Sequence, residues 1–390
     1  MTQAVIVAAA RTPIGRARKG SLVDVDAFRL AEIAVGEAVA RSGIDHADIE
    51  DIVLGESLYG GGDIARHTAV VLGLENVAGL ADNRHCASGL SAVQLAAGSI
   101  KSDMDTVVVA GGTNSMSTSP QSWRVLEPGG EPQMWMSPSH PETPDAPAFD
   151  MSITVGENTA REMGLTRRDV DEWAAYSHGQ AIASIDSGAF EEEIVPVEYL
   201  DRDGIAHEFR VDEHPRRGVT VESLAELKPI HPELDNPTVT AGNASGINDA
   251  AAALVLSSDA YAETHGLWPL ARIVSWANAG VEPARTGMGP TVAIPKALQR
   301  AGLTVDDIHL VEINEAFCSV PVATIRTLGF DPAIVNVNGS GCSLGHPIAA
   351  TGARMVVTMA HELRRRGKSL GLLSMCAGGG MGSALIIEAL

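Results

Sequence analysis

Two nine-residue stretches of this chain run in step: Asp48-Ile49-Glu50-Asp51-Ile52-Val53-Leu54-Gly55-Glu56 and Asp307-Ile308-His309-Leu310-Val311-Glu312-Ile313-Asn314-Glu315, offset throughout by 308 − 49 = 259. A nearly equal shift, 346 − 86 = 260, carries Cys86 to His346, and each opens a run rich in small residues. Val107–Gly112, an apolar strand running into glycines, has its counterpart in Leu372–Gly379. This pattern predicts two βαβ-type halves related by duplication. Equivalent helix N-termini from the two halves then converge, bringing Cys86 to His346.

Between the repeats, hydrophobic periodicity predicts a strand at Val5–Ala10 and a helix from Phe28 to Ser42 ended by Gly43. A strand at Ile49–Leu54 leads toward the cluster Gly60-Gly61-Gly62. The Cys86 helix follows, then a strand at Thr106–Ala110 capped by Gly111-Gly112. Strands alternating with helices predict a mostly parallel sheet. From Pro120 to Pro147 the chain is rich in proline, serine and glycine and reads as a long excursion from that sheet. After it, Thr166 and Asp169 mark a helix start, and Ile194–Leu200 suits a strand. Ala250–Ser257 is apolar again and fits a return to the first sheet. The expected division is 1–116 with 247–268 as the first half, 117–246 as the insertion, and 269–390 as the second half.

The formal charge of −21 argues against nucleic acid and anionic membranes as partners. An anionic ligand needs a local basic patch against that field, and Arg216-Arg217-Gly218 is the most basic spot in the insertion. Taken alone, that pair reads as solvated arginines. Cys86, Cys318, Cys342 and Cys376 show no CxxC and no paired spacing, which predicts reduced thiols in a cytoplasm. The chain enters a strand at once, with no charged leader and no apolar run long enough to span a membrane. No HExxH or comparable spacing predicts a metal.

Cys86 heads a run that reads as a helix buried on every side, where backbone N–H groups and the helix dipole favour a thiolate. The bland alternative is an inert core cysteine. Cys318 and Cys342 are read as small buried thiols. His178, His214 and His231 are read as surface residues of the insertion. Gly339-Ser340-Gly341 lacks the rest of a dinucleotide fingerprint.

Five segments in order then resemble the motifs of the thiolase family: Asn83-Arg84-His85-Cys86-Ala87-Ser88-Gly89; Thr240-Ala241-Gly242-Asn243-Ala244-Ser245-Gly246-Ile247-Asn248-Asp249; Asn314-Glu315-Ala316-Phe317; Gly345-His346-Pro347; and Cys376-Ala377-Gly378-Gly379-Gly380. The resemblance implies an α/β fold with a five-layered αβαβα core from two duplicated halves and an inserted loop domain. It implies reversible coenzyme A-dependent cleavage of 3-oxoacyl-CoA, or Claisen condensation of acyl-CoA, through an acyl-cysteine. On that likeness Cys86 is the nucleophile, His346 takes its proton and Cys376 is the second acid/base. Asn314 holds a water beside the forming enolate, and the N–H groups of Cys86 and Gly378 form an oxyanion hole. Coenzyme contacts are implied at Arg216, Ser223, Ser245, Ala316 and Phe317. Coenzyme A and acyl-CoA are substrates, no tightly bound cofactor is expected, and the assembly is a homodimer or homotetramer.

Some positions depart from the family pattern. Thr113-Asn114 stand in a stretch that usually carries a carboxylate, and Thr286 replaces an acyl-pocket methionine. Met151-Ser152 replace a His-Met pair, His85 precedes the nucleophile, and Cys342-Ser343 replace small apolar residues. These predict an altered acyl pocket. Two other readings are a ketoacyl-synthase-type condensing enzyme, which Cys376 opposes, and a non-catalytic acyl-CoA-binding relative, which retention of all four site residues opposes.

Overall fold

In the computed structural model, which describes residues 2–57, 59, 62–201 and 203–390, nine strands make the framework. They are β1 (Ala4–Arg11), β2 (Asp51–Gly55), β3 (Ala78–Asp82), β4 (Val107–Ser115), β5 (Asn248–Ser258), β6 (Ala271–Gly280), β7 (Leu310–Ile313), β8 (Leu370–Ala377) and β9 (Met381–Ala389). Their spatial order is β3-β2-β4-β5-β1 followed by β6-β9-β8-β7. The sequence β2-β4-β5-β1 is thus mirrored by β7-β8-β9-β6. Pairing senses match as well: β2/β4 and β7/β8 are parallel, while β4/β5, β5/β1, β8/β9 and β9/β6 are antiparallel. Even the irregularities correspond. The register slips at Val7 in β1 and at Val274 in β6, one residue left over on each strand.

The duplication is therefore present, but the mostly parallel sheet is not. Beyond each parallel pair, the chain closes its half with two strands that run antiparallel. The halves touch through a short pairing, Val5 to Arg272 and Ile6 to Ala271.

Side-chain alternation along these strands builds the layers. On one face, Val5, Val107 and Val109 meet α1 (Ala27–Ser42) through Leu30, Ala34 and Val35. On the other, Ile6, Val108 and Ala110 face α2 (Ser88–Lys101) and α5 (Ile348–Arg366), whose far sides rest on Leu373, Met375 and Leu385 of the second half. The outer face of that half, with Ala277, Leu372 and Ile386, is covered by α4 (Gly289–Ala301). Helix, sheet, helix pair, sheet and helix make the five layers.

Local signals place the helix ends. Asp26 accepts from Arg29 N and Gly43 closes α1 at φ 66°; Gly367 closes α5 at φ 61°, after Arg364, Arg365 and Arg366 have met the negative dipole end. Gly111 and Gly112 lie within β4 instead of ending it. Their missing side chains let Ala252 and Ala349 approach the strand, so the glycines serve a close crossing and not a turn. Gly60 and Gly61 lie outside the described residues.

The chain leaves the sheet after Ser115 and re-enters at Asn248. In between stand a hairpin (Ser122–Arg124 with Gln133–Trp135), α3 (Arg167–Asp186) and a second hairpin (Val197–Leu200 with Ala206–Phe209). Thr166 and Asp169 form a reciprocal capping box at the start of α3. The insertion is anchored to β1 by Arg11, whose guanidinium donates to both carboxylate oxygens of Asp212 at 2.8 and 2.9 Å and to Glu193 at 2.6 Å, all fully buried.

Candidate active site

Cys86 lies in a single 3₁₀ turn, His85–Ala87, just ahead of α2, rather than inside the helix. The helix is buried on most sides, but Leu95 faces outward, so the expected all-round burial does not hold. His85 takes a left-handed backbone, φ 48°, held by its N–H donating to Asn83 Oδ1 and by its carbonyl accepting from Ser88 Oγ at 2.6 Å. The turn packs against both α5 and β8. It is thereby set beside Cys376, near the end of β8.

The protein packed around Cys86 pushes its thiol above the ordinary range; the N–H groups of Gly378 and of Cys86 itself draw it back only in part. The expected resting thiolate is thus overturned: desolvation outweighs the dipole and the two donors. Burial raises Cys376 as well, and the neighbouring Cys86 sulfur adds to it. Burial and then Arg354 hold His346 down at about 3, so its imidazole is neutral at any physiological pH. The resting site is a neutral thiol with a neutral base, not an ion pair. Among the described residues no hydrogen bond joins the Cys86 thiol to His346 directly.

His346 is fixed on three sides. Its backbone N–H donates to Asn248 Oδ1 at 3.0 Å, its Nδ1 lies 2.7 Å from Thr351 Oγ1, and Asn314 Nδ2 stands 3.5 Å from each ring nitrogen. Gly345 adopts φ 106°, and a Cβ there would strike the Asn248 amide, so only glycine lets the imidazole approach in this way. Asn314 Oδ1 is buried without a partner. An orphaned acceptor beside a reacting group is what a bound water or substrate donor would satisfy. Next to it, Glu315 gathers Trp173 Nε1, Ser177 Oγ, Asn336 Nδ2 and the Cys342 N–H, tying α3 to both motif loops.

The Thr240–Asp249 loop and the Asn314 motif are bonded edge to edge. Ser245 N–H donates to Ala316 O and Cys318 N–H donates to Asn243 O, both at 2.9 Å, with Phe317 bridged to Ala244. Farther out, a cleft of about 230 Å³ lies between α3 and the Arg216 loop, lined by His178, Gly179, Ile182, Arg216, Arg217 and Val219. Arg217 pairs with Asp186, while the exposed Arg216 guanidinium has no carboxylate partner among the described residues. Ser223 is exposed, its hydroxyl joined to Thr220 in the cap of a short helix.

His178 and His214 are buried, not surface residues. Burial and the Arg216 charge hold them down at about 4 and about 3. His178 Nδ1 accepts the Arg216 N–H, so the ring is part of the frame of that cleft. His231 is half-buried against Asp150 and Glu233. Cys318 and Cys342 are buried, free thiols, as expected.

Sequence reading gave no role to Ser139 and His140, yet the excursion returns them to the site. Ser139 lies against Gly378 and Gly379, and the His85 ring flanks Gly378 from another side. His140 is locked by Ser139 Oγ on Nδ1 and Ala146 O on Nε2. Nothing in local spacing signals this; only the fold returns the loop to residues more than two hundred positions later.

The duplicated five-layered fold, with the Cys86 turn packed between the central helix pair and the strand of Cys376, is that of the thiolase class. The chain belongs to the thiolase family: residues 4–260 match the model of the thiolase N-terminal domain and residues 267–389 that of the C-terminal domain. It is 42% identical to the acetyl-CoA acetyltransferases of Cupriavidus necator and of Escherichia coli, with all of each chain covered. The crystal structure of the Bacillus anthracis acetyl-CoA acetyltransferase superposes with a TM-score of 0.91 at 40% identity, covering 100% of this chain and 99% of that one. That of human mitochondrial 3-ketoacyl-CoA thiolase gives the same TM-score and coverage at 35% identity.

Proposed function

We propose that this protein is an acetyl-CoA C-acyltransferase, cleaving 3-oxoacyl-CoA with coenzyme A and running the reverse condensation through an acyl group on Cys86. The observation that carries this reading is the packing of the Cys86 turn against both β8, which bears the second cysteine Cys376, and α5, whose start bears His346. When the thiol attacks a thioester, His346 accepts its proton and the Gly378 and Cys86 N–H groups stabilise the oxyanion as charge develops. Cys376 then exchanges the α-proton of the bound acetyl group, and Asn314 with His346 supports the enolate oxygen. Because the resting thiol is neutral, proton transfer accompanies attack instead of preceding it.

The anionic coenzyme enters past Arg216 and Ser223, and its pantetheine arm runs along Ser245, Ala316 and Phe317. The free guanidinium supports this path in a chain of net charge −21. The insertion at 117–246 acts as the coenzyme domain, between the half formed by 1–116 with 247–268 and the half at 269–390. The protein works in the cytoplasm as a homodimer or homotetramer. Support for assembly comes from β3, an end strand with Leu80 exposed, and from the hairpin bearing exposed Trp123 and Met134.

Treating the protein with acetyl-CoA and measuring intact mass tests the reading. An acetyl adduct that disappears in Cys86→Ala is expected. An unchanged adduct in that variant, or no coenzyme A-dependent cleavage at any 3-oxoacyl chain length, would overturn it.

A further inference from the structure

We infer that Thr351 is a positioning residue that holds His346 in the Nδ1–H form and leaves Nε2 as the only lone pair the ring can offer. The inference rests on the reading of His346 as the proton acceptor, and deepens it.

The argument is a proton count. Thr351 has one hydroxyl hydrogen, and its Oγ1 donates to the Pro347 carbonyl one helical turn back at 2.9 Å. With that hydrogen committed, Oγ1 can only accept from the imidazole nitrogen 2.7 Å away. Nδ1 therefore carries the proton of the neutral ring. Nε2 carries none; the Asn314 amide nitrogen, 3.5 Å from both ring nitrogens, does not choose between them, so the choice falls to Thr351. A base must hold its lone pair before the thiol arrives, and the wrong tautomer presents an N–H instead. Helix geometry makes the arrangement rigid. Thr351 lies in the first turn of α5, and its hydroxyl, the Pro347 carbonyl and the His346 ring are all buried at the same helix start.

Nitrogen-15 spectra of histidine-labelled protein read the tautomer directly. The expected result is a histidine signal with a protonated Nδ1 and an unprotonated Nε2 that is lost in His346→Asn and so is told apart from His265, whose Nδ1 also donates, to Tyr261 O. Thr351→Val keeps the side-chain shape and removes the acceptor. It should shift that signal toward the other tautomer and slow acyl-enzyme formation about 10- to 100-fold, the usual cost of losing a histidine's outer partner. KM for the acyl-CoA should hold steady. Thr351→Ser should restore both signal and rate. An Nε2–H ring in the unmodified protein, or Thr351→Val with unchanged spectra and rate, overturns the inference. Undiminished acylation by His346→Asn would instead sink the proposed role of His346, so the two failures are distinguishable.

Discussion

Gly352 of α5 lies directly on the backbone of Leu90 in α2: a Cβ at Gly352 would stand 2.6 Å from the Leu90 Cβ, where no side chain fits unmoved. Gly89 meets α5 in the same way, with a Cβ 2.6 Å from Ala349 O. The two central helices have Cys86 and His346 just ahead of their first turns, so this crossing sets how those two residues meet. Gly352→Ala is expected to cost about 1–3 kcal/mol by overpacking, measured by urea denaturation. It should also slow acylation about 100-fold through displacement of the reacting groups. Wild-type acylation in a folded Gly352→Ala protein would show that the crossing does not set the site.

Arg11 is the buried pin between β1 and the insertion. Arg11→Met leaves Asp212 and Glu193 as carboxylates without their cation, which typically costs about 3–5 kcal/mol. A denaturation midpoint within 0.5 kcal/mol (about the scatter for harmless surface changes) would contradict that role.

Acid should weaken the fold through three histidines. His178, His214 and His346 are held down at about 4, about 3 and about 3 by burial and by nearby arginines, against an ordinary value of 6.5. The unfolded chain therefore binds more protons than the native one once pH falls below about 6.5. Their contribution is whole above that point and drains as pH drops toward 4, at about 1.4 kcal/mol per pH unit for each ring. Melting temperature should be level from pH 7 to 8 and fall steeply below 6. Replacing His178 and His214 together by glutamine should remove much of that slope.

Because burial raises the Cys86 thiol, alkylation by iodoacetamide in the absence of substrate should keep climbing with pH through 9 (the region of an ordinary thiol, about 8.5). A plateau near neutrality would mean that a thiolate is already present at rest.

Arg216→Ala should raise KM for acyl-CoA about 10-fold, the worth of one charge-assisted contact. Acyl-N-acetylcysteamine, which lacks the nucleotide, should react as before. Equal losses on both substrates would place Arg216 in the frame of the protein instead of at the coenzyme.

Much of this was legible in the sequence because its signals are local. Asp26 and Gly43 bracket α1, Thr166 and Asp169 open α3, and the repeated nine residues become mirrored strands β2 and β7. Strand direction was not legible. Thr106–Ala110 and Ala250–Ser257 read alike as apolar strands, and their antiparallel pairing depends on where the long insertion returns. Nor was the state of the Cys86 thiol. The helix start is visible in sequence, but the desolvation that outweighs it comes from residues distant in the chain. The same limit hid Ser139, His140 and the burial of His178 and His214, each decided by tertiary contacts alone.

The mirrored sheet has a consequence for how this chain is made. On a ribosome, Cys86 emerges 290 residues before Cys376 (376 − 86), whose strand β8 is flanked by the earlier β7 and by the later β9, which in turn pairs with β6. A nascent chain that has exposed Cys86 but not β8 thus lacks the second sulfur that stands beside it in the folded protein.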